Sequence, residues 1–63
     1  MWTVIYMAQS RESVLKVQEL LAAAEFAVRV RPVGEGGDSG YFEILVPETE
    51  AQQAHTLLIK NGY

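Results

Sequence analysis

Four of the five glycines of this chain lie in one short segment, residues 34–40 (GEGGDSG). The residues on either side, 26–33 (FAVRVRPV) and 41–46 (YFEILV), are rich in the β-branched and aromatic types that favour strands. A Gly-rich connection of this length between two strand patterns predicts a β-hairpin with a long loop. The second and third strands are therefore expected to be antiparallel neighbours.

The second strand, residues 26–33, alternates between apolar and charged side chains. Val28 and Val30 point to one side, and Arg29 and Arg31 point to the other. This pattern predicts a half-buried strand. Pro32 cannot donate a hydrogen bond to a ladder, so the end of this strand is expected at an edge of the sheet or outside it.

The first strand, residues 2–7 (WTVIYM), is apolar on both sides. Strict alternation places Trp2, Val4 and Tyr6 on one face and Thr3, Ile5 and Met7 on the other. Either set is apolar enough to face the core, so the pattern does not decide which one does.

A first helix is predicted over residues 11–24. Val14, Val17 and Leu21 recur at three- and four-residue spacing, which is the pattern of a helix with one buried face. Ser10 is a favourable N-cap residue for it.

A second helix is predicted from the residues after Pro47 to about Lys60, with Thr49 or Glu48 as its cap. Asn61 and Gly62 are typical of a helix end. The apolar stripe of this helix consists of Ala51, Ala54, Leu57 and Leu58.

The order strand, helix, strand, strand, helix predicts an α+β fold of one domain, residues 1–63. A two-layer βαββα sandwich is expected, with a three-stranded antiparallel-mixed sheet in the order 1-3-2 and two helices on one face. This is the ferredoxin-like plan without its last strand, because residues 61–63 are too few to form one.

In that arrangement the first strand is an exposed edge, and the sheet keeps one face that no helix covers. Exposed edges with apolar faces invite pairing. We therefore expect a homodimer, either through the edge of the first strand or through the open face; the alternative is a monomer with a modest apolar patch. The candidate interface residues are Trp2, Val4, Tyr6, Tyr41 and Leu45.

The charge of the chain weighs against several kinds of partner. The chain has five basic and eight acidic residues, which gives a formal net charge of −3. A protein that binds nucleic acids or anionic membranes needs clustered Lys and Arg on its surface. No apolar run is long enough to span a membrane, and no basic n-region of a signal peptide follows Met1. With no Cys and one His, His55, no metal site and no cofactor are expected. A cytoplasmic protein is the default expectation.

Arg29 and Arg31 are the candidate ligand-binding residues, together with Gly36 and Gly37 of the loop. Two guanidinium groups on one strand face are suited to an anion such as a phosphate or a carboxylate. The alternative is a solvated face on which these arginines pair with Glu43 across the hairpin.

Several segments resemble a family of small bacterial signal-transducing proteins, whose domain is of unknown function. They are the apolar strand 2–6 ending in Tyr, the helix 10–24 (SRESVLKVQELLAAA), the strand opening 25–28 (EFAV) and the closing segment 41–55 (YFEILVPETEAQQAH). The resemblance implies a fold similar to the core of PII-type signalling proteins and carries over no catalytic residue. In the PII class the loop between strands two and three contacts partners, and here that loop is residues 34–40.

The sequence contains no set of nucleophile and base, so an enzyme is not expected. The leading hypothesis is a non-catalytic interaction or signal-transduction module that acts through homodimerisation or through a protein partner. The second is a PII-like sensor of a small ligand, a nucleotide or an amino acid, bound near Arg29 and Arg31.

Overall fold

A computed structural model describes residues 1–34 and 40–63 of the chain. The elements are β1 (Trp2–Ala8), α1 (Arg11–Ala23), β2 (Arg29–Pro32), β3 (Phe42–Pro47), a 3₁₀ turn (Glu48–Glu50) and α2 (Ala51–Lys60). The α+β class and the predicted element order are confirmed. Gly36 and Gly37, the loop residues proposed for ligand binding, lie outside the described residues.

The described strands form a three-stranded sheet in the order β1-β3-β2, and both pairs are antiparallel. This order follows from two constraints: the hairpin makes β2 and β3 neighbours, and the helix between β1 and β2 leaves room for β3 in the centre. Pro32 ends β2 at an edge of the sheet, as the sequence predicted.

The core lies between the two helices and one face of the sheet. Its buried side chains are Ala8, Val14, Val17, Leu21, Ile44, Val46, Ala54 and Leu58. The helical stripes predicted from the sequence therefore supply the helix side of this core, and alternate residues of β3 supply its sheet side.

A β-bulge interrupts β1 and corrects the predicted alternation. Val4 pairs with Leu45 and Tyr6 pairs with Ile44, so Ile5 is an extra residue in β1 between two consecutive residues of β3. A bulge of this kind shifts the side-chain alternation by one position.

Because paired residues share a face, the bulge divides the predicted set of Trp2, Val4 and Tyr6. Trp2 and Val4 lie on the face without helices, whereas Tyr6 lies on the helix-covered face and packs against the core. The prediction that strict alternation holds along β1 is therefore wrong beyond Val4. Met7, which was grouped with Thr3, lies on the face of Trp2 instead.

The N-terminus of α1 is capped as predicted. The Ser10 side chain accepts a hydrogen bond from the backbone N–H of Ser13 at 3.1 Å. Glu12 and Lys16, one helical turn apart, form an exposed ion pair at 3.3 Å, a contact that stabilises a helix by only a few tenths of a kcal/mol, about 0.3–0.5.

Both helices end in the same backbone arrangement, a Schellman motif. Glu25 (φ 67°) follows α1 and Gly62 (φ 88°) follows α2, and both adopt the left-handed conformation. The next residue, Phe26 or Tyr63, donates its N–H to the carbonyl five positions earlier, at 3.0 and 2.9 Å respectively. Because the N–H of Phe26 is used in this way, β2 begins later than the predicted residue 26.

The start of α2 differs from the predicted capping by Thr49 or Glu48. A 3₁₀ turn precedes α2, and both residues lie inside it. The residue before this turn is Pro47, whose side chain has no polar atom, and the capping position of α2 itself is Glu50, whose side chain makes no capping hydrogen bond. One of the first N–H groups is satisfied in another way: Glu48 donates to the carbonyl of Met1 at 2.7 Å.

Candidate functional site

The candidate site is the face of the sheet on which no helix of residues 1–34 and 40–63 packs, which we call the open face. The helices pack on the side of Ile44 and Val46, so the residues that alternate with these on β3, and their ladder partners, lie on the other side. The open face consists of Trp2, Val4 and Met7 of β1, Glu43, Leu45 and Pro47 of β3, and Arg29 and Arg31 of β2.

A cation–π contact crosses the centre of the open face. The guanidinium carbon of Arg29 lies 4.3 Å from the ring centroid of Trp2. Trp2 belongs to β1 and Arg29 to β2, so the two side chains meet above β3, which separates these strands. Leu45, the ladder partner of Arg29, lies below them and is only 7% exposed. The stack therefore shields an apolar side chain that no helix covers.

Arg31 is engaged in an ion pair with its ladder partner Glu43. Its Nε and Nη2 atoms donate to the same carboxylate oxygen, Oε1, at 2.8 and 2.7 Å. The alternative that Glu43 pairs with the arginine face across the hairpin is thus confirmed for Arg31. With Arg29 on the Trp2 ring, both guanidinium groups have partners within the chain.

The exposed apolar side chains of the open face lie on β1. Val4 is 41% exposed and Met7 is 48% exposed. They form a strip along the edge strand, beside the Trp2–Arg29 stack. We refer to these two residues as the β1 strip.

Of the predicted interface residues, Tyr6 lies on the helix-covered face and not on the open face. The Tyr6 ring contacts the ring of Tyr63 edge to face, with centroids 5.6 Å apart, on the helix side. Tyr41 is 44% exposed one residue before β3, and its carbonyl accepts a hydrogen bond from Val33 at 3.0 Å.

Sequence reasoning missed Met7 as a member of the open face. No residue type in β1 signals the bulge, because both sides of this strand are apolar. Only the pairing with β3 shows which side each residue takes.

Chemistry-bearing groups are dispersed in the part of the chain that the structure describes. His55 is exposed on α2. Within residues 1–34 and 40–63, no three His, Cys, Asp or Glu side chains come together as metal ligands. No helix among these residues is long and apolar enough to cross a membrane.

Comparisons with known proteins found no matching family model, no matching curated protein and no matching solved structure. The resemblance to bacterial signal-transducing proteins therefore stays a hypothesis drawn from the sequence.

Proposed function

We propose that this protein is a small non-catalytic interaction module that associates with a second copy of itself through the open face. The observation that carries the proposal is the β1 strip, Val4 and Met7, exposed on a sheet face that no helix covers. Covering these side chains removes apolar surface from water, which favours association. A role in cytoplasmic signal transduction is part of the proposal and rests on the sequence resemblance.

The surroundings of the β1 strip are compatible with a second copy. A two-fold axis brings the same patch of both copies together, so a net charge on the patch would oppose association. Here the charge of Arg31 is neutralised by Glu43, so the open face carries only the positive charge of Arg29, whose guanidinium is held on the Trp2 ring. The apolar strip is thus bordered by charges that are already engaged.

The size of the open face predicts weak association. Strands lie about 4.8 Å apart and rise about 3.3 Å per residue, so strands of seven, four and six residues cover about 270 Å² per copy. Stable interfaces bury about 800 Å² per partner. We therefore expect a reversible dimer with a dissociation constant in the micromolar to millimolar range, which suits a transient signalling contact.

Sedimentation equilibrium tests the proposal with matched charge variants. The parent chain is expected to exceed its monomer mass of 7.0 kDa as its concentration rises towards millimolar. Val4→Glu and Met7→Glu should keep the monomer mass, because each buries a charge in the interface. Ile59→Glu is the control, since Ile59 is a similarly exposed apolar residue on α2 (58%), and it should associate like the parent. A parent chain that stays monomeric, or strip variants that associate normally, would contradict the proposal.

Edge pairing through β1 is the competing mode of association, and a deletion of Ile5 separates the two. Val4 and Tyr6 already pair with the consecutive residues Leu45 and Ile44, so the deletion regularises β1 without moving these side chains to the other face. Bulges protect exposed edges from pairing. If the deletion strengthens association and Val4→Glu does not weaken it, the contact runs through the edge and the open-face proposal is wrong.

The ligand-sensor alternative is not favoured by the geometry of its predicted anion site. Arg29 lies on Trp2 and Arg31 is paired with Glu43, so an anion would have to break contacts that the chain already makes. A thermal-shift screen with nucleotides and amino acids tests this directly, because a ligand at about 100 times its Kd adds about 2.7 kcal/mol of stability.

A further inference from the structure

A cleft opens on the helix-covered side of the sheet, on the face opposite to the open face. Its volume is about 270 Å³, and it is lined by Arg11, Val14 and Leu15 of α1, Val30 of β2 and Phe42 of β3. Four of these five side chains are apolar. Val14 is nearly buried, whereas Leu15 is 58% exposed at the cleft.

Arg11 gives this apolar cleft one cationic end. It is the first residue of α1, where the helix dipole adds partial positive charge. Arg11 forms no ion pair with any residue in 1–34 or 40–63. Its neighbour Glu12 does not neutralise it, because that carboxylate is paired with Lys16. The charge of the guanidinium is therefore available to a ligand.

The volume of the cleft limits the size of that ligand. An apolar cavity of about 150 Å³ holds one benzene molecule, so this cleft has room for an aromatic ring with a short arm, or for an alkyl chain of similar bulk. An anionic group on the arm would complement Arg11, and a carboxylate matches the planar guanidinium.

We propose that this cleft binds a small monocarboxylate with an apolar aryl or alkyl body. The body lies against Leu15, Val30 and Phe42, and the carboxylate accepts hydrogen bonds from Arg11. The proposal is independent of the homodimer, because Val30 and Phe42 face the helices and not the open face.

Titration of the ¹⁵N-labelled chain with 3-phenylpropionate, followed by amide chemical shifts, tests this site. We expect saturable shifts at residues 11, 14, 15, 30 and 42, with a dissociation constant of about a millimolar, as the ligand is small and the cleft half-open. The neutral 3-phenylpropanamide, which has the same body, should bind at least about fivefold more weakly, because it lacks the charge-assisted hydrogen bond.

Two variants that each remove one positive charge isolate the role of Arg11. Arg11→Gln should weaken 3-phenylpropionate binding about five- to tenfold and leave the affinity for the amide unchanged. Lys60→Gln makes the same change of charge at the end of α2, outside the lining of the cleft, and leaves the Glu12–Lys16 pair intact, so it should bind like the parent. Both sites are exposed, and the spectrum of each variant reports whether it is folded.

Three results would overturn the proposal. They are the absence of saturable shifts at the cleft residues, equal affinity for acid and amide, and an equal loss of affinity in Arg11→Gln and Lys60→Gln. The last result would show that only the overall charge of the protein matters. None of these bears on the sedimentation test of the open face, so the two proposals fail separately.

Discussion

Replacing Glu25 by glycine is expected to stabilise the fold. Glu25 has φ 67° at the end of α1, in the left-handed region, and Gly62 has the equivalent position after α2 with φ 88°. Side chains with a Cβ pay a steric cost in this conformation, and glycine does not. Glu25 is exposed and forms no ion pair with a residue that the structure describes, so its removal breaks no favourable contact there.

The size of this effect is the difference of two terms. A non-glycine residue in the left-handed region costs about 1–2 kcal/mol. Glycine also gives the unfolded chain more freedom, which offsets about 0.4–1 kcal/mol of the gain. A net stabilisation of about 0.5–1 kcal/mol follows for Glu25→Gly, which raises the Tm of a domain of this size by about 2–8 °C. Gly62→Ala reverses both terms and should lower stability by a similar amount.

Urea and thermal denaturation followed by circular dichroism measure these changes. Glu25→Ala is the matched control, because it removes the same negative charge from a chain of net charge −3 but keeps the Cβ. It should gain little. If Glu25→Ala gains as much as Glu25→Gly, the effect is electrostatic and the argument from φ is refuted. A loss of stability in Glu25→Gly would also refute the argument from φ, even if Gly62→Ala is destabilising as expected.

The remaining predictions concern the open face and the core. A double-mutant cycle of Trp2→Leu and Arg29→Met should give a coupling free energy of about 0.5–1 kcal/mol by urea denaturation, and additive effects would show that the stack contributes nothing. Arg31→Ala should lower the free energy of unfolding by less than about 1 kcal/mol, because the ion pair with Glu43 is largely exposed on the arginine side. This loss of stability should shrink in high salt, and a salt-independent loss would indicate that Arg31 acts through packing. Leu58→Ala, at a position 1% exposed, should cost about 2–5 kcal/mol, and a cooperative melt close to that of the parent would contradict its place in the core.

The sequence predicts the elements of this fold because each has a local physical signal. The alternation of Arg29 and Arg31 with valines marks β2, Ser10 marks the start of α1, and Gly62 marks the end of α2. The strand order 1-3-2 then follows from the hairpin. These signals depend on residues near one another in the chain, so they can be evaluated without the fold.

The features of the open face depend instead on contacts between distant residues. The bulge at Ile5 has no local signal in the sequence. Because β1 is apolar on both sides, either set of alternating side chains could face the core. The Trp2–Arg29 stack joins the two edge strands across the strand between them, a relation that neither strand pattern contains. Glu25 is a further example, since glutamate is not a residue type that indicates a left-handed helix end.

The covering of Leu45 by the stack separates folding from association. If Leu45 were exposed, the single chain would depend on a partner to bury the apolar face of its central strand. Beside the Trp2–Arg29 stack, however, Leu45 is already only 7% exposed. A second copy therefore needs to cover only Val4 and Met7, which are already in water in the monomer. Substitutions of these two residues should alter the dissociation constant and leave the monomer's melting temperature nearly unchanged. Substitutions of Trp2 or Arg29 should instead lower the melting temperature of the monomer.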